Sequence, residues 1–185
     1  MCRQLSGQGD VVREDGADSR AFEALYVGLF PLVVRTVYLV ILDRDIAQEI
    51  THEAFLRLWQ HWTKLGDNAN EKAWLMRVAI NLALDHRRSL LTAIRHRQPD
   101  QPMQDPATTA IDRLEREEMR SALRRLPRRE RAVLALRFEQ GLSFPEIGQI
   151  FGRPEPTVKT WVHRALDRLQ RELGDRPAPA MENSR

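Results

Sequence analysis

Ser143-Phe144-Pro145-Glu146-Ile147-Gly148-Gln149-Ile150-Phe151-Gly152, running on into Pro156-Thr157-Val158-Lys159-Thr160-Trp161-Val162-His163-Arg164-Ala165, decides how the rest of the chain is read. Ser143 with Glu146 three residues on is a capping box: the hydroxyl accepts an amide of the first turn and the carboxylate accepts the Ser143 amide. The helix it opens must be short, because Gly152 follows Ile150-Phe151 and the prolines at 154 and 156 bar continuation. Arg153 and Glu155 each precede a proline and lean extended, so Pro156 is expected as the first residue of the next helix. There Val158, Val162, Ala165, Leu166, Leu169 and Leu173 fall on one stripe, leaving Thr157, Lys159, Thr160, His163, Arg164 and Arg168 outward. A short helix, a tight turn and a long helix with a polar, basic outer face is the arrangement that puts side chains in a DNA major groove. An ordinary amphipathic hairpin with a solvated charged face has the same pattern, and this segment alone leaves both open.

The 185 residues allow one or two domains. With 42% hydrophobic and 30% charged residues the composition is that of a soluble globular protein with helical leanings, and only 9 glycines argue against a turn-rich all-β fold. A net charge of +3 permits a nucleic-acid partner without demanding one. The single cysteine, Cys2, excludes an internal disulfide and fits a reducing cytoplasm. Residues 1–20 carry glycines and acids and lack the apolar core of a signal peptide. The longest apolar region, Leu29 to Leu42, is 14 residues interrupted by Arg35 and Thr36, which reads as a buried helix rather than a membrane span.

Three helices are expected in the first half. Phe22, Leu25, Leu29, Val33, Val37 and Val40 recur at helical spacing, with a bend expected near Pro31. After a break at Asp43-Arg44-Asp45, Asp45 can cap a second helix with Ile46, Ile50, Ala54 and Leu58 inward, widened by Phe55, Trp59 and Trp62. Its opposite face carries Gln48, Glu49, His52, Glu53 and Arg57. The loop Lys64 to Asn70 is rich in turn formers, and a third helix runs from about Glu71 to Leu90 with Trp74, Leu75, Val78, Ala79 and Leu82 inward. Three such helices can close a small bundle.

From Thr92 the apolar period fades among Pro99, Pro102 and Pro106, and it returns at Ala110 with Ile111, Leu114, Met119, Ala122, Leu123 and Leu126. Pro127 opens a further helix in which Ala132, Val133, Leu136 and Phe138 can pack, flanked by a basic cluster of Arg124, Arg125, Arg128, Arg129 and Arg131. The fold class is therefore all-α: a disordered N-terminus (1–20), a helical bundle (21–91), a flexible linker (92–109), a helix-turn-helix domain (110–173) and a disordered tail (174–185).

Catalytic chemistry finds no foothold in the pattern. His52-Glu53 begins a zinc-protease motif, but the second histidine would fall at 56, which is Leu. The five histidines show no metal-ligand spacing, and no glycine-rich phosphate loop is present. No catalytic residue, cofactor or metal is expected, and the chain is not read as an enzyme.

Taken together the two halves resemble the extracytoplasmic-function group of bacterial RNA polymerase sigma factors. Asp45-Ile46-Ala47-Gln48-Glu49-Ile50-Thr51-His52-Glu53-Ala54-Phe55-Leu56-Arg57-Leu58-Trp59 is similar to the family's region 2.2 helix, and Ala73 to Arg88 to the helix that follows it. Leu126-Pro127, Arg131, Thr157-Val158-Lys159-Thr160 and Arg164-Ala165 resemble region 4. Residues 21 to 173 are covered. The chain departs from the family pattern at His52 (usually Gln), Glu49 (commonly Asp), Trp161 (usually basic), and Pro154 and Pro156 (usually small cap residues).

The resemblance implies a cytoplasmic protein that joins core RNA polymerase to promoter DNA, without membrane insertion. Gln48, Glu49, His52, Glu53 and Arg57 would dock on the clamp helices of the β′ subunit. Lys64, Asn68, Asn70, Lys72, Arg77 and Asn81 would hold the non-template strand of the −10 element, where small polar groups bond an unstacked base and cations meet phosphates. Thr157, Lys159, Thr160, His163 and Arg164 would meet the −35 element, with Arg128 and Arg129, and also Arg131, adding backbone contacts. Trp74 reads as core. Family members are commonly held by an anti-sigma factor, so such a partner is expected. The rival readings are a DNA-binding regulator that never joins polymerase and, more distantly, a helical adaptor for other proteins.

Overall fold

The protein is described here by a computed structural model covering residues 11–62, 70–86 and 110–174, with side chains from 19 in the first stretch and from 115 in the third. Helix α1 (Val11–Ile41) begins ten residues ahead of the bundle boundary read from the sequence, so residues 11–20 belong to it rather than to a disordered terminus. Once the apolar stretch after Phe22 nucleates a helix, each further turn is cheap, and acids near the start complement the helix dipole. Pro31 lies inside α1 and withholds the amide that Val27 would otherwise receive; Val27 is exposed, where water serves its carbonyl. Ser19–Ile41 is long and apolar enough to cross a membrane by length and composition, yet Val33, Val37 and Val40 from it are in the core.

The break before α2 (Arg44–His61) is two residues wide, Leu42 and Asp43, and comes earlier than expected. Leu42 takes a left-handed φ of 60°, and Asp43, not Asp45, is the cap, its carboxylate accepting the Ile46 amide at 3.1 Å. Helix α3 (Glu71–Asp85) is capped by Asn70, whose side-chain oxygen accepts the Ala73 amide at 2.9 Å. These three helices enclose Ile46, Ala54, Phe55, Leu58, Leu75, Ala79 and Ile80. Each such large side chain contributes roughly 1.5–3 kcal/mol on leaving water. Phe22 meets Trp59 at 4.8 Å and Trp62 at 5.3 Å, closing one end of the bundle edge-to-face.

The second half comprises α4 (Ala110–Arg125), α5 (Arg128–Leu134) widening into a π-helical turn (Ala135–Glu139), α6 (Phe144–Phe151) and α7 (Glu155–Leu173). Ser143 and Glu146 form the capping box in full: the Ser143 amide donates to Glu146 at 2.8 Å and the Glu146 amide to Ser143 Oγ at 3.4 Å. Gly152 ends α6 at φ 61°, and the Arg153 amide returns to the Gly148 carbonyl at 2.9 Å. That return brings the backbone so close that a Cβ on Gly148 would stand 2.6 Å from the Arg153 carbonyl oxygen. Glycine is required at the waist of the turn. Val158, Val162, Ala165 and Leu166 are buried as their stripe requires, whereas Phe138, expected to pack, is 46% exposed because the π-helical turn rotates it outward.

The two halves are not held apart. Helix α1 packs on α5 and the π-helical turn, and α3 packs on α6 and α5, so both halves join one core cluster. The linker itself (92–109) and the last residues expected in α3 (87–90) lie outside the described residues, as do Lys64, Asn68 and the tail from 175.

Candidate nucleic-acid interface

Helix α7 presents its polar residues as one arc, since successive residues advance about 100° around the axis. Lys159 and His163 lie at one side of it, Thr160 in the middle, and Arg164 and Thr157 at the other. All are exposed except Thr157, which is half-buried at the helix start. Lys159 is drawn into an ion pair with Glu155 at 2.7 Å and lies 5.6 Å from the Phe144 ring. Thr160 donates to the Pro156 carbonyl at 2.9 Å. Among the described residues no ion pair holds His163 or Arg164, which leaves these two as the side chains most available to a base edge.

Trp161, the residue at odds with a basic reading helix, has a defined job. It is half-buried, meets Phe151 edge-on at 5.6 Å across the turn, and carries the Arg129 guanidinium over its ring at 5.1 Å. Such a stack contributes about 0.5–1 kcal/mol at a partly exposed site and fixes where the cation points. Trp161 thus welds α6 to α7 and aims Arg129 beside Arg164; the two arginines and Trp161 line one hollow of about 450 Å³ with Pro127, Glu130, Leu84 and Asp85.

The other expected backbone cations divide. Arg128 donates to the His86 carbonyl at the end of α3. Arg131 is not on the surface: it is 8% exposed, its Nε donating to the Val40 carbonyl at 2.8 Å and its Nη1 to the Leu123 carbonyl at 3.2 Å. Burial, and secondarily the charge of Arg128, pull its pKa below the usual guanidinium range to about 10, so it stays cationic at neutral pH.

On α3 the residues Arg77, Asn81 and Asp85 follow at intervals of four and make one outward row, all exposed. Lys72 is exposed on the first turn, and Asn70, spent on its cap, stands next to it. Trp74 packs against the core and also meets His61 at 5.6 Å, so it is half core and half wall. Asn70, Lys72, Trp74 and Arg77 share a hollow of about 380 Å³ with Gln140, Glu146, Gln149 and Ile150 of the second half.

On α2 the five expected residues do share the outer face, but they are not equivalent. Glu53 and Arg57 pair with each other at 2.8 Å, His52 lies 4.9 Å from the Phe30 ring, Glu49 is exposed and Gln48 half-buried. The sequence reading missed two apolar members of this face. Leu56 is 51% exposed and Trp59, expected inside, is 43% exposed. The clue for Leu56 was its place four residues after His52, off the buried row.

Ser143 supplies the first electrostatic test. Its hydroxyl and then its amide hold the Glu146 carboxyl below the usual glutamate range, with Lys72 assisting more weakly. A depressed carboxylate pKa adds stability above the unfolded-state value and loses it as pH falls through the folded value. Ser143→Ala is expected to cost about 1 kcal/mol at neutral pH, the usual worth of a cap. Denaturant titrations at pH 7 and pH 3 should show that difference shrinking at the lower pH; an undiminished difference would contradict the capping role of the charge.

Both halves of the chain match known proteins. The family description "Sigma-70 region 2" matches residues 25–91 and "Sigma-70, region 4" matches residues 116–169. The ECF RNA polymerase sigma factor SigL of Mycobacterium tuberculosis is 32% identical over 168 residues, covering 85% of this chain and 93% of SigL. BldN of Streptomyces coelicolor, also an ECF RNA polymerase sigma factor, is 30% identical over 171 residues; these cover 89% of this chain and 65% of BldN. In three dimensions the chain is similar to the sigma factor RpoE of Bartonella quintana, crystallised with the anti-sigma factor NepR. The TM-score is 0.67 at 21% identity, over 85% of this chain and 99% of that one.

Proposed function

From the membership of this chain in the extracytoplasmic-function sigma factors of RNA polymerase, we propose the division of labour among its faces: α2 docks on the β′ clamp helices, the α3 row with the preceding loop holds the −10 non-template strand, and α7 reads the −35 element. The observation that carries this is the separation of three chemically distinct faces on three helices: a mixed polar and apolar one on α2, a cationic and amide row on α3, and a basic arc on α7. The protein acts by positioning rather than by catalysis, in the cytoplasm where polymerase and promoter are. An anti-sigma factor, of the kind bound to the Bartonella relative, is the expected regulator.

For the docking face the anchors are Leu56 and Trp59, ringed by Glu49, His52 and the Glu53–Arg57 pair. Exposed apolar groups inside a polar rim are what a protein interface desolvates to gain affinity. Leu56→Glu is therefore expected to weaken binding to purified core polymerase by roughly 1–2 kcal/mol without moving the thermal unfolding midpoint. An unchanged core affinity in a fluorescence binding assay would take α2 out of the interface.

A further inference from the structure

Two exposed cations of the helix-turn-helix half are held in opposite ways. Lys159 is neutralised, because Glu155, one turn back on the same helix, pairs with it at 2.7 Å. Arg129 keeps its whole charge. Among the described residues no ion pair or hydrogen bond ties it, although Glu130 and Asp85 line the same hollow; Glu130 pairs instead with Arg168 at 3.4 Å. What holds the Arg129 guanidinium is the face of the Trp161 ring, at 5.1 Å. An aromatic face attracts a cation through its quadrupole and carries no net charge. It therefore fixes the cation's place without cancelling the field presented to an anion.

Arg129 does nothing for its own helix. It stands exposed in the first turn of α5, next to Arg128, at the end where the helix dipole disfavours cations. The ring beneath it is braced from α6 by Phe151, which meets Trp161 edge-on at 5.6 Å. At about 100° per residue, Trp161 lies about 40° around α7 beyond Thr157, on the rim that Thr157 and Arg164 close. Arg129 thus brings a second cation to the Arg164 rim from a different helix.

We propose that Trp161 is a positioning residue for promoter binding: its ring holds Arg129 at the Arg164 rim of α7, where the guanidinium meets a backbone phosphate while Arg164 meets a base edge. The proposal rests on the assignment of α7 to the −35 element. An unheld arginine must give up rotamer freedom when it meets a phosphate, whereas the ring has removed much of that freedom before DNA arrives. Because the ring belongs to α7, the phosphate contact and the base contact keep a fixed offset, and one sets the register of the other.

The test measures binding of the polymerase holoenzyme to a promoter duplex that it transcribes, over a series of potassium chloride concentrations. The variants are Arg129→Ala, Trp161→Leu, Trp161→Phe and the double variant Arg129→Ala with Trp161→Leu. Leucine keeps apolar packing on Phe151 without an aromatic face; phenylalanine keeps the face. Trp161→Leu should lower the slope of log affinity against log salt by about one, as Arg129→Ala does, although Arg129 is still present. Trp161→Phe should keep the wild-type slope, and the double variant should lose no more than either single variant. Trp161→Met repeats the leucine arm with a second apolar side chain, and thermal unfolding of each variant checks that the helix pair is intact. A wild-type salt slope in both Trp161→Leu and Trp161→Met, or losses that add in the double variant, would overturn the proposal and leave Trp161 a packing residue of the turn. The −35 assignment fails separately: Arg164→Ala would then leave promoter affinity unchanged.

Discussion

Arg131→Ala is expected to destabilise the folded chain by about 2–4 kcal/mol, the largest single-residue effect among the charged positions. Its guanidinium joins three segments: the residue's own helix α5, the Val40 carbonyl at the end of α1 and the Leu123 carbonyl of α4. Hydrogen bonds from a charged donor are worth about 1.5–3 kcal/mol each, and truncation strands two carbonyls beside a void. Against this stands the relief of a buried charge, which is why the net is set below the sum. The pH dependence has a definite sign. The folded pKa, about 10, lies below the unfolded one, so the burial cost is fully present below pH 10 and eases only as pH rises through that value. Across pH 6 to 9 the mutant effect should be flat in urea titrations. A change below about 1 kcal/mol would mean that Arg131 is a surface cation, as its sequence context suggested.

Arg164→Ala should weaken binding to a cognate promoter by about 1–3 kcal/mol, the discrimination of a guanidinium against a guanine edge, and should relax preference at one base pair of the −35 element. Arg129→Ala, by contrast, should weaken binding evenly across sequences and lower the salt slope by about one, the mark of a lost phosphate contact. The difference follows from geometry. Arg164 extends from the exposed arc of α7, whereas Arg129 comes from α5 and is held over the Trp161 ring. Holoenzyme binding to promoter variants at several salt concentrations separates the two. Equal, sequence-independent losses would assign both to the backbone.

Much of the fold was legible because its signals are carried by residue types. The Ser143–Glu146 box, the left-handed Gly152 and the apolar stripe of α7 each name one geometry, and each is found where the pattern put it. Asp43 displaced Asp45 as the α2 cap because both are competent caps and only the backbone at Leu42 decides between them. The seam between the two halves was illegible for a plainer reason. Its acceptors at Val40, His86 and Gln149 are main-chain carbonyls, which every residue has, and an arginine aimed at one looks in sequence like an arginine aimed at a phosphate. Trp59 and Phe138 were misplaced for a related reason: periodicity tells which residues can be buried, and a π-helical turn or a bundle end can leave them out.

The central claim is that this chain makes core polymerase start at promoters, using all three faces together. Run-off transcription with purified core polymerase and a promoter library, with and without the chain, tests it most directly. Defined starts preceded by paired −35 and −10 elements, absent with core alone and reduced by Leu56→Glu and by Arg164→Ala, are the predicted result. Transcript starts no different from those of core alone would contradict the account, leaving a helix-turn-helix protein that binds DNA without directing initiation.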